Sequence, residues 1–449
     1  MDARREEREE REGRAPRRRR RPFAEVEVAR EACRAWLVVL ALASAACAAD
    51  RAPRGPYLQQ LTSDSVVIAW RTTEPSPQRV VYGRDPEILT RRAGEGRSSK
   101  DHAVRVEGLE PSTLYYYSVD RDLHAPTIRS FRTAPRRGSR APFRFWVVGD
   151  SGTGEKEQRD VRDAMLVATR NAPIDFAIHV GDIAYFDGTE EEFDKGFFGP
   201  YGGILHRVPM WPALGNHEAE SVDVADQTGP WFDAFVLPTA GEAGGVPSHT
   251  EAYYAFDWGN AHFVMLDSTG SRRAKDGPML RWLQADLDAA KDADWIIAVF
   301  HHAPYSTSTD DTREDEGSVE MRENALPILE RAGVDLVLGG HSHAYTRTFL
   351  IDGAGDDRVG DPSRFRLDQD EPTRGQRIRK RAGPNGGTVY VVAGHGGAPA
   401  DVLFARPSTA VMDASHGSCL VEIDGDELRL VNVLATGAIG DSFSIVKRR

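Results

Sequence analysis

Between residues 55 and 136 apolar and polar positions alternate in short runs, which predicts strands at Ser65–Trp70, Arg79–Tyr82, His102–Val106, Leu114–Val119 and Ile128–Phe131. Alternation with a period of two buries one face of each strand, and turn residues separate the runs at the spacing of a small β-sandwich. The tract Ala134–Pro142 (APRRGSRAP) interrupts the pattern and reads as a linker. From Phe143 the texture changes to continuous apolar strands, predicted at Phe143–Val148, Phe176–Val180, His262–Leu266, Trp295–Phe300, Val334–Leu338 and Val389–Val392. Helical periodicity lies between them at Glu157–Asn171 and at Pro278–Asp292, where Leu280, Leu283 and Leu287 share a face. Continuous apolar strands alternating with helices mark an α/β domain whose strands are covered on both sides. The polar, glycine-rich stretch Asp352–Gly387 has no periodicity and is expected to be a long surface insertion.

The first 54 residues follow neither pattern. An Arg/Glu-rich lead is followed by the apolar run Trp36–Ala46 and then Cys47. The run is too short for a membrane anchor and has the length of an export-signal core; a buried helical segment is the competing reading. Export would place the protein outside the cytoplasm, secreted, periplasmic or held by a lipid on Cys47. The three cysteines, Cys33, Cys47 and Cys419, build no disulfide framework.

At 449 residues the chain exceeds the size of one hydrophobic core, so two folded domains are expected. The formal net charge of −12 argues against nucleic acid as the main partner. It also means that any anionic substrate needs local positive charge from another source.

Polar clusters close almost every predicted α/β strand: GDSG after Val148, GDIAY after Val180, LDS after Met265, HHAP after Phe300, GGHSH after Leu338 and GHGG after Ala393. In open α/β sheets the carboxyl ends of the strands line the ligand crevice, so these clusters are expected to converge. Singly, each residue has a plainer role: an Asp at a strand end caps a helix, Tyr185 packs, Asn216 turns the chain, and His179 and His262 are hydrogen-bonded core. Together, Asp150, Asp182, Tyr185, Asn216, His302, His341 and His343 form a mixed oxygen and nitrogen donor set without thiolate. Seven donors exceed the needs of one tetrahedral ion. A bridging carboxylate lets them serve two, and two ions can clamp the attacking and leaving oxygens of a phosphoryl displacement.

In order, Gly149-Asp150, Gly181-Asp182-Ile-Ala-Tyr185, Gly215-Asn216-His217-Glu218, His302-Ala-Pro304 and Gly340-His341-Ser-His343 resemble the five blocks of the calcineurin-like metallophosphoesterases, over residues 143–431. Two details resemble the purple acid phosphatases: Tyr185 three residues after Asp182, and His341-Ser-His-Ala-Tyr-Thr-Arg347, similar to that family's GHxHAYER block. Upstream, Gly108–Tyr117 resembles the tyrosine corner of fibronectin type III-like domains, where plant-type members carry a sandwich.

The resemblance implies a metallophosphoesterase αββα sandwich over residues 141–449, preceded by an all-β fibronectin type III-like domain at residues 55–136. It implies iron(III) on Asp150, Tyr185 and His343, a divalent zinc, manganese or iron on Asn216, His302 and His341, and Asp182 bridging them. His217 would face the substrate, binding phosphate or protonating the leaving alkoxide. The reaction implied is hydrolysis of the monoester of a small phosphorylated molecule by a metal-held hydroxide. His302 is preferred to its neighbour His301 because the family places its ligand two residues before proline, and His395 is expected to be structural. The sequence departs from the family at Tyr305–Asp311, where no histidine stands in place of a substrate-contacting one. A phosphodiesterase or nucleotidase on the same site therefore stays open. A non-catalytic exported binding protein predicts lost ligands, and all seven are present.

Overall fold

The computed structural model describes residues 53–448 except 95, 120–126, 309–314, 354, 356–360 and 369–371. The apolar run at 36–46 and Cys47 lie outside the described residues.

The N-terminal part is a sandwich of two antiparallel sheets. One holds Arg54–Gln59, Ser65–Pro77 and Ser98–Glu107; the other holds Arg91–Ala93, Val80–Gly83, Leu114–Val119 and Arg129–Arg132. Ile68, Val104, Val106, Tyr115, Tyr117 and Phe131 form its interior. The Tyr115 hydroxyl accepts the Glu110 amide at 3.0 Å, which closes the tyrosine corner.

The α/β part contains two seven-stranded mixed sheets. The first runs Met210–Pro212, Phe176–His179, Phe143–Val148, Gly417–Asp424, Glu427–Leu434, Ile439–Arg448, Gln376–Arg381. The second runs Tyr254–Trp258, Ala261–Met265, Trp295–His302, Leu336–Gly340, Val389–Ala393, Tyr345–Thr348, Thr409–Asp413. The sheets face each other through aromatic side chains: Phe145 and Phe176 meet Phe263 edge-on at 5.4 and 5.5 Å, and Trp211 stacks on Phe256 at 4.1 Å. Helix Lys156–Ala168 covers the first sheet. Helix Pro278–Ala289 covers the second, where His262, next to the inward Phe263, turns outward to Asp286. The architecture is the expected αββα sandwich.

The sandwich domain is joined to the α/β domain by buried polar contacts. Arg54 binds Glu190 at 2.6 Å and Asp194 at 2.7 Å while lying over the Phe198 ring, and Arg71 also reaches Glu190. Tyr57 and Tyr117 donate to the carbonyls of Ala234 and His206 at 3.0 and 2.8 Å.

Two expectations need adjustment. The helix expected to reach Asn171 ends at Ala168, where the Thr169 hydroxyl bonds the Met165 carbonyl at 2.8 Å. The stretch expected to be a surface insertion supplies a strand, Gln376–Arg381, paired in parallel with Ile439–Arg448. Its inward positions are Gln376, Ile378 and Lys380, so two of three are polar and the alternation carries no apolar signal.

Candidate metal centre

The residues that gather at one end of the two sheets lie on turns that ordinary side chains resist. Asp150, Asp182 and His341 have φ of 52°, 57° and 68°, a region that costs most non-glycine residues conformational energy. Hydrogen bonds between neighbouring turns hold these conformations. The Asp150 amide donates to the Gly181 carbonyl at 3.0 Å, and the His341 amide donates to both Asp150 oxygens at 3.0 and 3.1 Å. Glycines permit the approach: a Cβ on Gly215 would strike Asp182, and one on Gly340 would strike the Asp150 carboxylate.

Two donor groups result, joined by Asp182. On one side the Tyr185 hydroxyl lies 3.1 Å from Asp182 Oδ2 and 3.2 Å from His343 Nε2, and His343 Nε2 is 3.7 Å from Asp150 Oδ1. On the other, Asn216 Oδ1 lies 2.9 Å from both His301 Nε2 and His341 Nδ1, and His301 Nε2 is 3.3 Å from Asp182 Oδ1. Each carboxylate oxygen of Asp182 thus faces a different group. Separations near 3 Å are those of donors that surround one ion at about 2.1 Å.

His302 faces a different set of partners, Asp315 and His341. Its Nδ1 is bonded to the Ser268 hydroxyl at 3.0 Å and its Nε2 points toward Asp315 at 3.9 Å, and its ring lies 4.4 Å from that of His341. His301 thus faces Asn216 and Asp182, while His302 forms a second candidate donor group with Asp315 and His341, so both neighbours adjoin the centre. The pairing of strand Trp295–His302 with Leu336–Gly340 shifts register between Val299 and His302, which changes the side chain that faces the crevice.

The histidines are oriented from behind. His301 Nδ1 donates to the Val180 carbonyl, His343 Nδ1 to the Pro399 carbonyl and His217 Nδ1 to the Phe186 carbonyl, at 2.9, 2.9 and 2.5 Å. A carbonyl can only accept, so each ring turns its Nε2 inward. His217 Nε2 lies 3.8 Å from Asp182 Oδ2, on a side chain still 28% exposed.

Burial opposes charge throughout this cluster. It pushes the Asp150 carboxyl well up, helped by the Asp182 charge, and it raises the Tyr185 phenol, helped by Asp182 and Asp150. Burial also acts against Asp182, but the charge and hydrogen bond of His301 outweigh it and hold that carboxyl well below its usual range. His301 is correspondingly raised to about 10 by Asp182, against its own desolvation. Burial and the neighbouring His341 and His301 keep His302 neutral.

Glu218 is the functional residue that sequence reasoning passed over. Fully buried, it accepts the amides of Asp182, Ile183, Ala184 and Gly215 at 3.0, 2.7, 3.0 and 2.9 Å, tying two ligand turns together. Burial, with the Asp182 charge, pushes its carboxyl up to about 7 against the pull of those amides. A glutamate in the first turn of helix Asn216–Ala219 is a capping signal that could have drawn attention to it. Asp401, also unforeseen, accepts the His343 amide at 2.8 Å. The three histidines expected to be structural are bonded in the core: His179 to Ser151, His262 to Asp257 and Asp286, and His395 to Asn432.

Residues 143–345 match the calcineurin-like phosphoesterase family, and residues 53–133 match the purple acid phosphatase N-terminal domain. The chain belongs to the purple acid phosphatase family. Purple acid phosphatase 21 of Arabidopsis thaliana is 30% identical over 66% of this chain and 66% of its own length. An uncharacterized protein of Mycobacterium tuberculosis is 28% identical over 78% of this chain and 70% of that protein. The chain thus spans about two thirds of the length of the curated relatives it matches. A purple acid phosphatase from yellow lupin (Lupinus luteus) seeds shares the fold at a TM-score of 0.70 and 20% identity, covering 88% of this chain and 75% of that one. The PhoD structure shares it at 0.62 and 14% identity, covering 87% and 90%. Purple acid phosphatases depend on two metal ions, and the donor set fits such a pair. Asp150, Asp182 and His343, with Tyr185 beside them, give a hard, oxygen-rich group; on the other side His341 stands with His302 and Asp315 and also meets Asn216, which His301 shares.

Proposed function

We infer that the chain is a binuclear metal-dependent phosphoester hydrolase that cleaves monoesters of small phosphorylated molecules. The observation that carries this reading is the geometry of His301. Its Nδ1 hydrogen is committed to a carbonyl, while its Nε2 is aimed at oxygens of Asn216 and Asp182. Without an ion those oxygens hold the ring as an imidazolium, and a metal ion would take the place of that Nε2 proton, accepting the ring's lone pair and the facing oxygens together.

Iron(III) suits the group containing Tyr185, because a phenol that burial raises needs a strong Lewis acid to lose its proton. Zinc, manganese or iron(II) suits the group of Asn216, His301 and His341. Bound there, the ions would supply Lewis acidity, drawing charge from the phosphoryl oxygens and making water ionisable at mild pH. Asp182 fixes the spacing between the two groups. His217 keeps its proton on Nδ1 for the Phe186 carbonyl, which leaves Nε2 to bind a phosphoryl oxygen or, once protonated, to donate to the leaving oxygen.

A diester reading has one observation in its favour. No histidine stands between Ala303 and Gly340, and the hydroxyls of Ser306, Thr307 and Ser308 beside the centre are buried. The deciding experiment is metal analysis with a visible absorption spectrum, alongside hydrolysis of nitrophenyl phosphate and bis(nitrophenyl) phosphate. One iron and one divalent ion, a tyrosinate band and faster monoester cleavage support the proposal. A protein that holds no transition metal would end it. His301→Ala should lose one ion and His302→Ala should keep both.

Export is supported by the apolar run at residues 36–46, and no helix among the described residues is long and apolar enough to cross a membrane. Mass spectrometry of the mature N-terminus checks it: a start near residue 47, with or without lipid on Cys47, supports export, and an intact leader refutes it.

A further inference from the structure

Three large apolar side chains stand in solvent around the centre. Phe186 is 73% exposed, Val402 63% and Phe404 57%. Scattered exposed hydrophobics are ordinary on protein surfaces, but the placement of these three is not scattered. Phe186 follows Tyr185, its carbonyl receives the His217 Nδ1 hydrogen, and its ring lies 5.9 Å from the Tyr185 ring and 6.4 Å from that of His217. Its backbone is pinned from the other side as well. The amides of Phe186 and Asp187 donate to the Glu192 carboxylate, which also receives the Thr189 amide at 2.9 Å. An aromatic ring is therefore fixed beside the substrate-facing histidine with little covering it.

Val402 and Phe404 lie on a loop tied to the same centre. The Ala398 amide donates to the Asp150 carbonyl at 2.9 Å, the Pro399 carbonyl accepts from His343 Nδ1, and the Phe404 amide donates to the Thr307 carbonyl at 2.6 Å. Because Tyr185 and His343 touch at 3.2 Å, both apolar elements adjoin the same donor group.

We propose that Phe186 is a specificity residue that stacks on an aromatic ring in the alcohol portion of the phosphoester, with Val402 and Phe404 extending an apolar mouth. Preferred substrates are then monoesters of aryl or arylalkyl alcohols. The proposal rests on the phosphoester hydrolase reading and adds the identity of the leaving group. The phosphoryl end is held among polar donors, the leaving oxygen lies by His217 Nε2, and the next group outward meets Phe186. Aromatic pairs attract at centroid separations of about 4.5–7 Å in offset or edge-on geometries that a saturated ring cannot match electronically.

The test uses the full metal-loaded protein and two non-hydrolysable ligands of matched size, 2-phenylethylphosphonate and 2-cyclohexylethylphosphonate. Their dissociation constants are measured by calorimetry. The phenyl compound should bind about 2- to 12-fold more tightly, the range of one aromatic pair. Phe186→Ala should bring the ratio close to one, and Phe186→Tyr should preserve it. A ratio of one in the native protein, a preference that survives Phe186→Ala, or failure of both ligands to bind overturns the proposal. Phosphonates are not turned over, so this outcome is independent of hydrolysis. Discrimination without ester cleavage would defeat the hydrolase reading and leave the aromatic subsite standing.

Discussion

Two buried carboxylate clusters in the same domain are neutralised in opposite ways. Away from the crevice, Asp335 is bound by Lys380 at 2.8 Å and Lys447 at 2.7 Å, so its charge is matched by the chain itself. In the crevice, the ion-pair partners of Asp150 and Asp182 among the described residues are histidines, and Tyr185 adds a further acidic group. A buried carboxylate without fixed cations is costly unless something positive arrives. The contrast teaches that one cluster is finished by folding and the other is built to be completed by ligands.

Substitutions can sharpen or break this contrast. Asp182→Asn should have the largest effect, because it removes the charge that both donor groups share. A loss of kcat/KM on the order of a thousandfold is expected, with reduced metal content by elemental analysis and little change in folding. Asp335→Leu should do the reverse. It strands two lysines, costs roughly 3–5 kcal/mol of stability by calorimetry, and leaves metal content in the surviving folded protein intact. If both substitutions act alike on metal content, the contrast fails.

His262 is an intermediate case, a cation made by protonation. Both ring nitrogens lie 2.7 Å from carboxylates, of Asp257 and Asp286, and Asp257 also meets Arg137 at 3.3 Å. Burial works against the imidazolium, but those two hydrogen bonds and charges raise it to about 9 from 6.5. Since the folded value is the higher one, the stabilisation is complete below pH 6.5 and is lost as pH rises through 9. It amounts to about 3 kcal/mol and should appear as a melting temperature that falls across that window. His262→Gln should remove most of that slope. Glu218→Gln should have the smallest effect, a loss of activity of about 10- to 100-fold, because it weakens the frame of the ligand turns and leaves the ligands in place.

Much of the site was legible because its chemistry is written as short polar blocks after apolar strands. Asp150, Asp182, Tyr185, Asn216, His341 and His343 converge where strand ends predict they should. The separate facings of His301 and His302 were not legible, because a register shift within one strand sets which neighbour turns toward Asn216 and which toward Asp315, and local spacing does not encode it. Glu218 escaped because its partners are backbone amides, which leave no trace in a side-chain pattern. Strand Gln376–Arg381 escaped for a related reason: Gln376 is satisfied by Arg347, and Lys380 by Asp335 and two carbonyls, contacts that come from distant segments.

The link between the domains reaches further than its area suggests. Arg54 and Arg71 grip Glu190, and two residues on, Glu192 grips the turn that carries Phe186 and directly follows Tyr185. The β-sandwich is thus a splint for one wall of the catalytic crevice. Cutting it away would remove a brace as well as a neighbour, and the two modules are best regarded as one working part.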